Sequence, residues 1–168
     1  MIRCSLILCI TAAVLLLASC SSSDRSPAER AAELSSRAGE ALSASDHEEA
    51  ERLLRESIQL RAEAGDNNGL ADDYGTLASI QVLTGRLSPT LETLASLRIL
   101  HQRTGDRAAE LKTMVETGRI AARLGRTSDA VTILTEAYSS GKLLQQEHDA
   151  AAAAIELSAI AEIGRAHV

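Results

Sequence analysis

Side chains able to do chemistry are few in this 168-residue chain, and they are scattered. The four histidines are His47, His101, His148 and His167, and no two stand three or four apart, the spacing that would build a metal-binding face on a helix. His148-Asp149 is a lone adjacent pair in a loop, and it reads as the start of a helix rather than as a catalytic dyad. Asp66-Asn67-Asn68-Gly69 matches the opening of a calcium-binding loop but lacks the bidentate acid further on, so it reads as a turn between helices. Gly65, Gly69 and Gly75 follow no strand and precede no Lys-Ser/Thr, which excludes a phosphate loop. Glu48, Glu49, Glu51 and Glu56 alternate with Arg52 and Arg55 as one charged helix face. No nucleophile is paired with a base. The expectation is a protein that catalyses no reaction and uses no metal or cofactor.

The remaining reactive groups are the thiols of Cys4, Cys9 and Cys20, none beyond residue 20, which excludes a disulfide framework in the rest of the chain. Met1-Ile2-Arg3 is a short basic start. Leu6 to Ala18 is almost wholly apolar, too short to span a bilayer as a helix and the right length for the apolar part of a secretory signal. It closes in Leu17-Ala18-Ser19-Cys20, which resembles a bacterial lipoprotein signal. That resemblance implies cleavage between Ser19 and Cys20 and a diacylglycerol on the Cys20 thiol. The competing reading is an ordinary signal with a chance cysteine. Cleavage leaves 16 basic against 23 acidic residues, a charge of -7. Several buried acyl chains anchor far more firmly than one, at about 0.8 kcal/mol per buried methylene. Ser21 differs from the aspartate that resembles an inner-membrane retention signal, so the expected address is the periplasmic face of an outer membrane. Ser21 to Pro27 is polar and reads as a tether.

The whole chain carries a formal net charge of -6, without the basic excess that marks a nucleic-acid binder. Tyr74 and Tyr138 are its sole aromatic residues, so the core must be built from Leu, Ile, Val and many Ala. Close helix packing suits such a core, and strands are not expected.

Organisation is set by a period of 40. Gly65-Asp66 returns as Gly105-Asp106; Ser45 returns as Gly85 and Gly125; Leu54 as Leu94 and Leu134; Ala50 as Thr90 and Ala130; Ala38 as Ala78 and Gly118. Between these marks, apolar residues recur at helical steps, as in Ala31, Leu34, Ala38, Ala41 and Leu42. Ser45 and Glu48 read as a capping box, and Ser88-Pro89 as a cap followed by proline at the first helical position. Gln145-Gln146 stands where a third Gly-Asp is expected. The pattern resembles the tetratricopeptide repeat family in a long form of about 40 residues. Small residues stand where the two helices of a unit cross, although the family's closing proline is absent and its first-helix aromatic appears solely as Tyr74. The resemblance implies an all-α fold, a tetratricopeptide-like solenoid of antiparallel helix pairs. The expected organisation is a signal over 1–19, lipidated Cys20 and tether over 20–27, repeats over 28–66, 67–106 and 107–146, a partial repeat over 147–162, and a tail over 163–168.

In such a stack the first helices line a concave groove. The positions expected there are Ser35, Ser36, Gly39 and Ser43, then Asp72, Gly75, Thr76, Ser79 and Val82, then Lys112, Val115, Glu116, Arg119 and Arg123. Lys112, Arg119 and Arg123 are expected to grip an acidic or carboxylate-bearing peptide, or else to be a solvated face. The closing Ile163-Gly164-Arg165-Ala166-His167-Val168 matches a translated sequencing-adapter stretch, which predicts a reading frame cut short. The rival reading is a turn at Gly164-Arg165. Ala153, Ile155, Leu157 and Ile160 are expected to form an apolar face without a partner helix. The function expected is a lipid-anchored scaffold of the bacterial cell envelope that binds a protein or peptide and no nucleic acid. Two alternatives are the docking end of a longer enzyme or signalling protein and a sensor of a small anionic ligand.

The Cys20 expectation is directly testable. Cys20→Ala should abolish incorporation of labelled palmitate and release the protein from the membrane fraction. Retention of both in the variant would remove the lipid anchor from the account.

Overall fold

The computed structural model describes residues 25–166, and side chains through Glu162. The stretches expected to be a signal, a lipidated Cys20 and the start of a tether lie outside the described residues. Seven helices follow one another: α1 Pro27–Ser43, α2 His47–Ala64, α3 Asn67–Leu83, α4 Leu87–Thr104, α5 Arg107–Arg123, α6 Thr127–Leu143 and α7 Glu147–Ala166. No strand occurs among the described residues. Each helix packs antiparallel on the next, and α7 packs on α5 as well.

Every turn is built alike. Ser45, Gly65, Gly85, Gly105, Gly125 and Gln145 all take φ between 58° and 75°, one every 20 residues. At each, the next residue's amide reaches back to a carbonyl five positions earlier, as in Asp46 to Ala41, Asp66 to Arg61 and Gln146 to Gly141. This is the Schellman closure, which satisfies the last carbonyls of one helix and starts the next two residues later. Glycine adopts this conformation without steric cost, whereas Ser45 and Gln145 adopt it with a Cβ. The Gln145-Gln146 joint therefore keeps the geometry of the other five.

This turn corrects the expected caps. Ser45 is the left-handed residue, so the N-cap of α2 is Asp46, which accepts from the Glu49 amide, and Glu48 closes no box. Likewise Arg86 caps α4 with no side-chain bond, and Pro89 is the third residue of the helix. At that depth the missing N–H has no intrahelical partner to lose. The capping box in the structure lies earlier: Ser26 and Glu29 bond reciprocally at the start of α1, so the end of the polar tether is the cap of the first helix. Asp66 and Asp106 cap α3 and α5. His148 and Asp149 stand in the first turn of α7, with no loop around them. Gly164 and Arg165 lie within α7, which runs through Ala166 and makes no turn there.

The core repeats with the sequence. Ala38, Ala78 and Gly118 are buried in the first helices, and Ala50, Thr90 and Ala130 have no exposure in the second. Leu54, Leu94 and Leu134 fill the space between them. A Cβ added at Gly118 would stand 2.5 Å from Leu134 Cγ, so Leu134 occupies the space that a side chain at 118 would need. Ala153 is buried against Leu111, Met114, Val115, Leu134 and Ala137, with Leu157 and Ile160 packed beside it. That corrects the expectation of an unpartnered face: those three residues meet α5 and α6, and Ile155 faces outward, 67% exposed.

Joints between units differ in chemistry. Between the first and second units sits a buried polar network that the apolar pattern does not announce. Asp73 on α3 accepts from Ser35 Oγ of α1 at 2.7 Å, Ser57 Oγ of α2 at 2.6 Å and Arg61 Nε of α2 at 2.8 Å. Arg61 also pairs with Asp66, and the Ser57 hydroxyl, its proton committed to Asp73, lies 3.0 Å from the Ala31 carbonyl. Forty residues on, Leu97, His101 and Thr113 take the places of Ser57, Arg61 and Asp73; eighty on, Ala137, Gly141 and Ala153 do so. At Gly141 an added Cβ would lie 3.1 Å from the Ala150 backbone nitrogen, so α7 approaches α6 across a surface of small residues. Glu51 is not on a solvated face: it is buried and held by Arg55 and by Arg86 of the next unit.

Three outcomes follow in stability measurements. Gly118→Ala should cost about 1–2 kcal/mol in urea unfolding, since overpacking at Leu134 outweighs the helix propensity gained. Gly39→Ala, where nothing lies within 4 Å, should instead stabilise by about 0.5–1 kcal/mol. Asp73→Ala leaves Arg61 without its buried partner and should cost about 3–5 kcal/mol.

Candidate functional site

Between α3 and α5 lies a groove of about 490 Å³. Its floor is α4, through Thr90, Leu94 and Leu97; its walls are Ala78 and Val82 on one side and Thr113 and Ile120 on the other. Ser79, Lys112 and Glu116 stand at its edge with Leu83, which is 69% exposed. The opening exists because Leu97 fills the α4–α5 joint and α3 stands apart from α5, whereas the alanines and Gly141 of the next joint let α7 close onto α5.

Among the residues expected to line a groove, Ser79, Lys112 and Glu116 come together here, with Gly75 and Val82. Asp72 lies elsewhere, in a cleft with Asn67, Asn68, Leu100, His101 and Asp106. Thr76 is half-buried, its hydroxyl donating to the Asp72 carbonyl at 2.9 Å. Ser35 is drawn into the Asp73 network and Val115 is buried in the core. Arg119 is engaged on both sides, with Glu116 at 2.9 Å and Glu156 of α7 at 2.8 Å. Its charge ties α5 to α7 and is balanced there. Arg123 is exposed at the end of α5, and neither it nor Lys112 makes an ion pair among the described residues. Glu116 is committed to Arg119, so the cation that faces the groove with no such tie is Lys112.

The apolar floor is what sequence reasoning missed. Leu94 and Leu97 were legible as the buried stripe of a helix, but their partial opening depends on how far α3 stands from α5.

Elsewhere the carboxylates are structural. Asp66 is held below the usual aspartate range by the Gly69 amide and then by Arg61, against the effect of burial. Burial raises Glu110, but bonds from Gln102 and Arg107 and the nearby Arg98 outweigh it and leave its value lowered. No group of three His, Cys, Asp or Glu side chains able to hold a metal occurs among the described residues. No described helix is long and apolar enough to cross a membrane.

Comparison with known proteins is decided by shape. No protein-family model and no curated protein sequence matches the chain. Solved structures do. A signal-transduction ATPase with numerous domains and a tetratricopeptide repeat sensor, from Pyrococcus horikoshii, superposes with a TM-score of 0.73 at 16% identity over 89% of this chain. The fold is a tetratricopeptide-like solenoid. Nearly identical TPR-like repeats of a kinesin light chain from Podosopora anserina superpose at 0.60, with 16% identity over 87% of this chain and 82% of theirs. A single-site variant of those repeats gives 0.68 at 20% identity, over 88% of this chain and 73% of its own. The chain spans 23% of the ATPase. At these identities the likeness concerns the solenoid alone, and the residues of the groove are this chain's own.

Asp66 and Glu110, both lowered, contribute to an acid dependence. Each contributes stability that is complete above the unfolded carboxylate range, near about 4, and is lost as pH falls through its lower folded value. Asp66→Asn, which keeps an oxygen for the Gly69 amide, should lower the melting temperature at neutral pH and flatten its fall below about pH 4. An unchanged acid profile would contradict the Asp66–Arg61 contribution.

Proposed function

We propose that this chain is a lipid-anchored scaffold of the bacterial envelope, whose solenoid captures a protein segment in the groove between α3 and α5. The observation that carries the reading is the groove: an apolar floor of Leu94 and Leu97, walled by Ala78 and Val82, with a free lysine at the rim. Tetratricopeptide-like solenoids form extended concave surfaces that suit partner binding. The apolar floor accepts one or two aliphatic side chains of the partner. Lys112 favours a carboxylate beside them, on an acidic residue or a chain terminus. Arg119 contributes less, because Glu116 and Glu156 already balance it. Anchoring rests on the Leu17-Ala18-Ser19-Cys20 pattern, and the polar stretch before Ser26 gives the solenoid reach above a membrane.

A second reading has the same solenoid serving as the sensing or docking part of a larger protein. It is favoured by the ATPase likeness, in which a tetratricopeptide repeat sensor belongs to a chain of which this one spans 23%.

A peptide array tests the groove. Peptides with an aliphatic residue next to Asp or Glu should bind, and their all-Asn/Gln counterparts should bind severalfold more weakly. Lys112→Glu should reverse that preference, while Arg119→Gln should leave it nearly unchanged. A preference carried by Arg119 and indifferent to Lys112 would overturn this assignment of the groove.

A further inference from the structure

We propose that a cleft between α2 and α4 binds a small amphiphilic carboxylate, a short fatty or aryl acid, held by its charged end at Arg103. The cleft measures about 460 Å³ and shares no residue with the α3–α5 groove. Ala62 of α2 lines it together with Leu70 of α3 and Leu100 of α4, both buried. Ile99 lines it too, and this large aliphatic side chain is left 63% exposed. Tyr74 and Ser96 belong both to the cleft and to an adjoining recess of about 200 Å³, which adds Ile58 and Leu77. An apolar body therefore has a path from Ile99 past Tyr74 toward Ile58.

Charge decides the other end of the ligand. Arg103 donates one hydrogen bond, from Nη2 to Asn67 Oδ1 at 3.1 Å, and makes no ion pair among the described residues. A guanidinium carries five N–H donors, so those left over can meet a carboxylate with two parallel bonds. The Tyr74 hydroxyl makes no hydrogen bond among the described residues and offers a further donor. No acid is among the residues that line the cleft. Asp66 borders it in sequence but is held by Arg61 and the Gly69 amide, and Glu63 is outside the lining, bonded to Gln59. The adjoining recess holds one charge of each sign, Arg55 and Glu92. One unit further on, the cleft between α4 and α6 is satisfied from within. There Glu110 pairs with Arg107 at 2.7 Å and Glu136 with Arg98 at 2.9 Å. Forty residues earlier, those two acids are Leu70 and Ser96. The first cleft thus keeps a cation and apolar walls but lacks the carboxylate, which the ligand supplies. An amine of the same shape is repelled there.

The test titrates the full chain, in a maltoside detergent, with hexanoate, hexanol and hexylamine at matched free concentrations, and follows the isoleucine methyl groups by NMR. Hexanoate should shift Ile99 and Ile58 and leave Ile120, which lines the α3–α5 groove, in place. Arg103→Gln, at an exposed position, should weaken hexanoate by about tenfold and bring it level with hexanol. Tyr74→Phe should weaken it severalfold, and Lys112→Glu should change nothing. Shifts centred on Ile120 and lost in Lys112→Glu would overturn the proposal, since the ligand would then belong to the groove. So would equal responses to all three probes, which mark apolar partition without charge recognition, or the absence of any shift at Ile99 in millimolar hexanoate.

Discussion

Each helix pair in this chain depends on a small side chain at the point where its two helices cross. Ala38, Ala78 and Gly118 on one side, with Ala50, Thr90 and Ala130 on the other, let the backbones approach until Leu54, Leu94 and Leu134 fill the space between. With no Phe or Trp in the chain, large side chains cannot bridge wider gaps, so close approach is the condition for a dense core. The left-handed turn residues, one every 20, keep the crossings in phase by starting each helix at the same point of its cycle. A helix one residue longer would rotate its apolar face by about 100° and lose the crossing.

The joints between pairs, rather than the pairs themselves, decide what the surface offers. A satisfied Asp73–Arg61–Ser57 network fills the first joint, Leu97 and Thr113 the second, and Ala137, Gly141 and Ala153 the third. Bulk in the second joint holds α3 and α5 apart and opens the groove. Small residues in the third bring α7 onto α5, with Arg119 and Glu156 across the contact. The same substitution pattern that weakens the repeat as a sequence signal is what opens a groove in one part of the array. Each member of the buried network depends on the others, since removing any one leaves its partners buried and unpaired.

Much of this was legible beforehand, for identifiable reasons. The 40-residue register locates the crossing residues because Ala38, Ala78 and Gly118 are all small where the helices meet. It also places Ser45 with Gly85 and Gly125, and the structure gives all three the same left-handed backbone. The caps were misplaced by one or two residues, at Ser45 and Ser88, because cap chemistry was read without the turn that precedes it. Ser35 was assigned to the groove by its place on the first helix of its unit, yet a hydroxyl beside Asp73 is drawn inward to complete hydrogen bonds. Arg119 was read as a free cation because Glu156, 37 positions away, meets it across the α5–α7 contact. Long-range pairings of this kind leave no local periodicity to find.

Site-specific photo-crosslinking in intact cells tests the central claim most directly. A photoreactive side chain at Ser79, on the rim of the groove, should yield a discrete protein adduct, and one at Gln59, exposed on α2 and outside the groove lining, should not. An adduct at Gln59 with none at Ser79, or a Ser79 adduct untouched by Lys112→Glu, would contradict a scaffold that works through the α3–α5 groove.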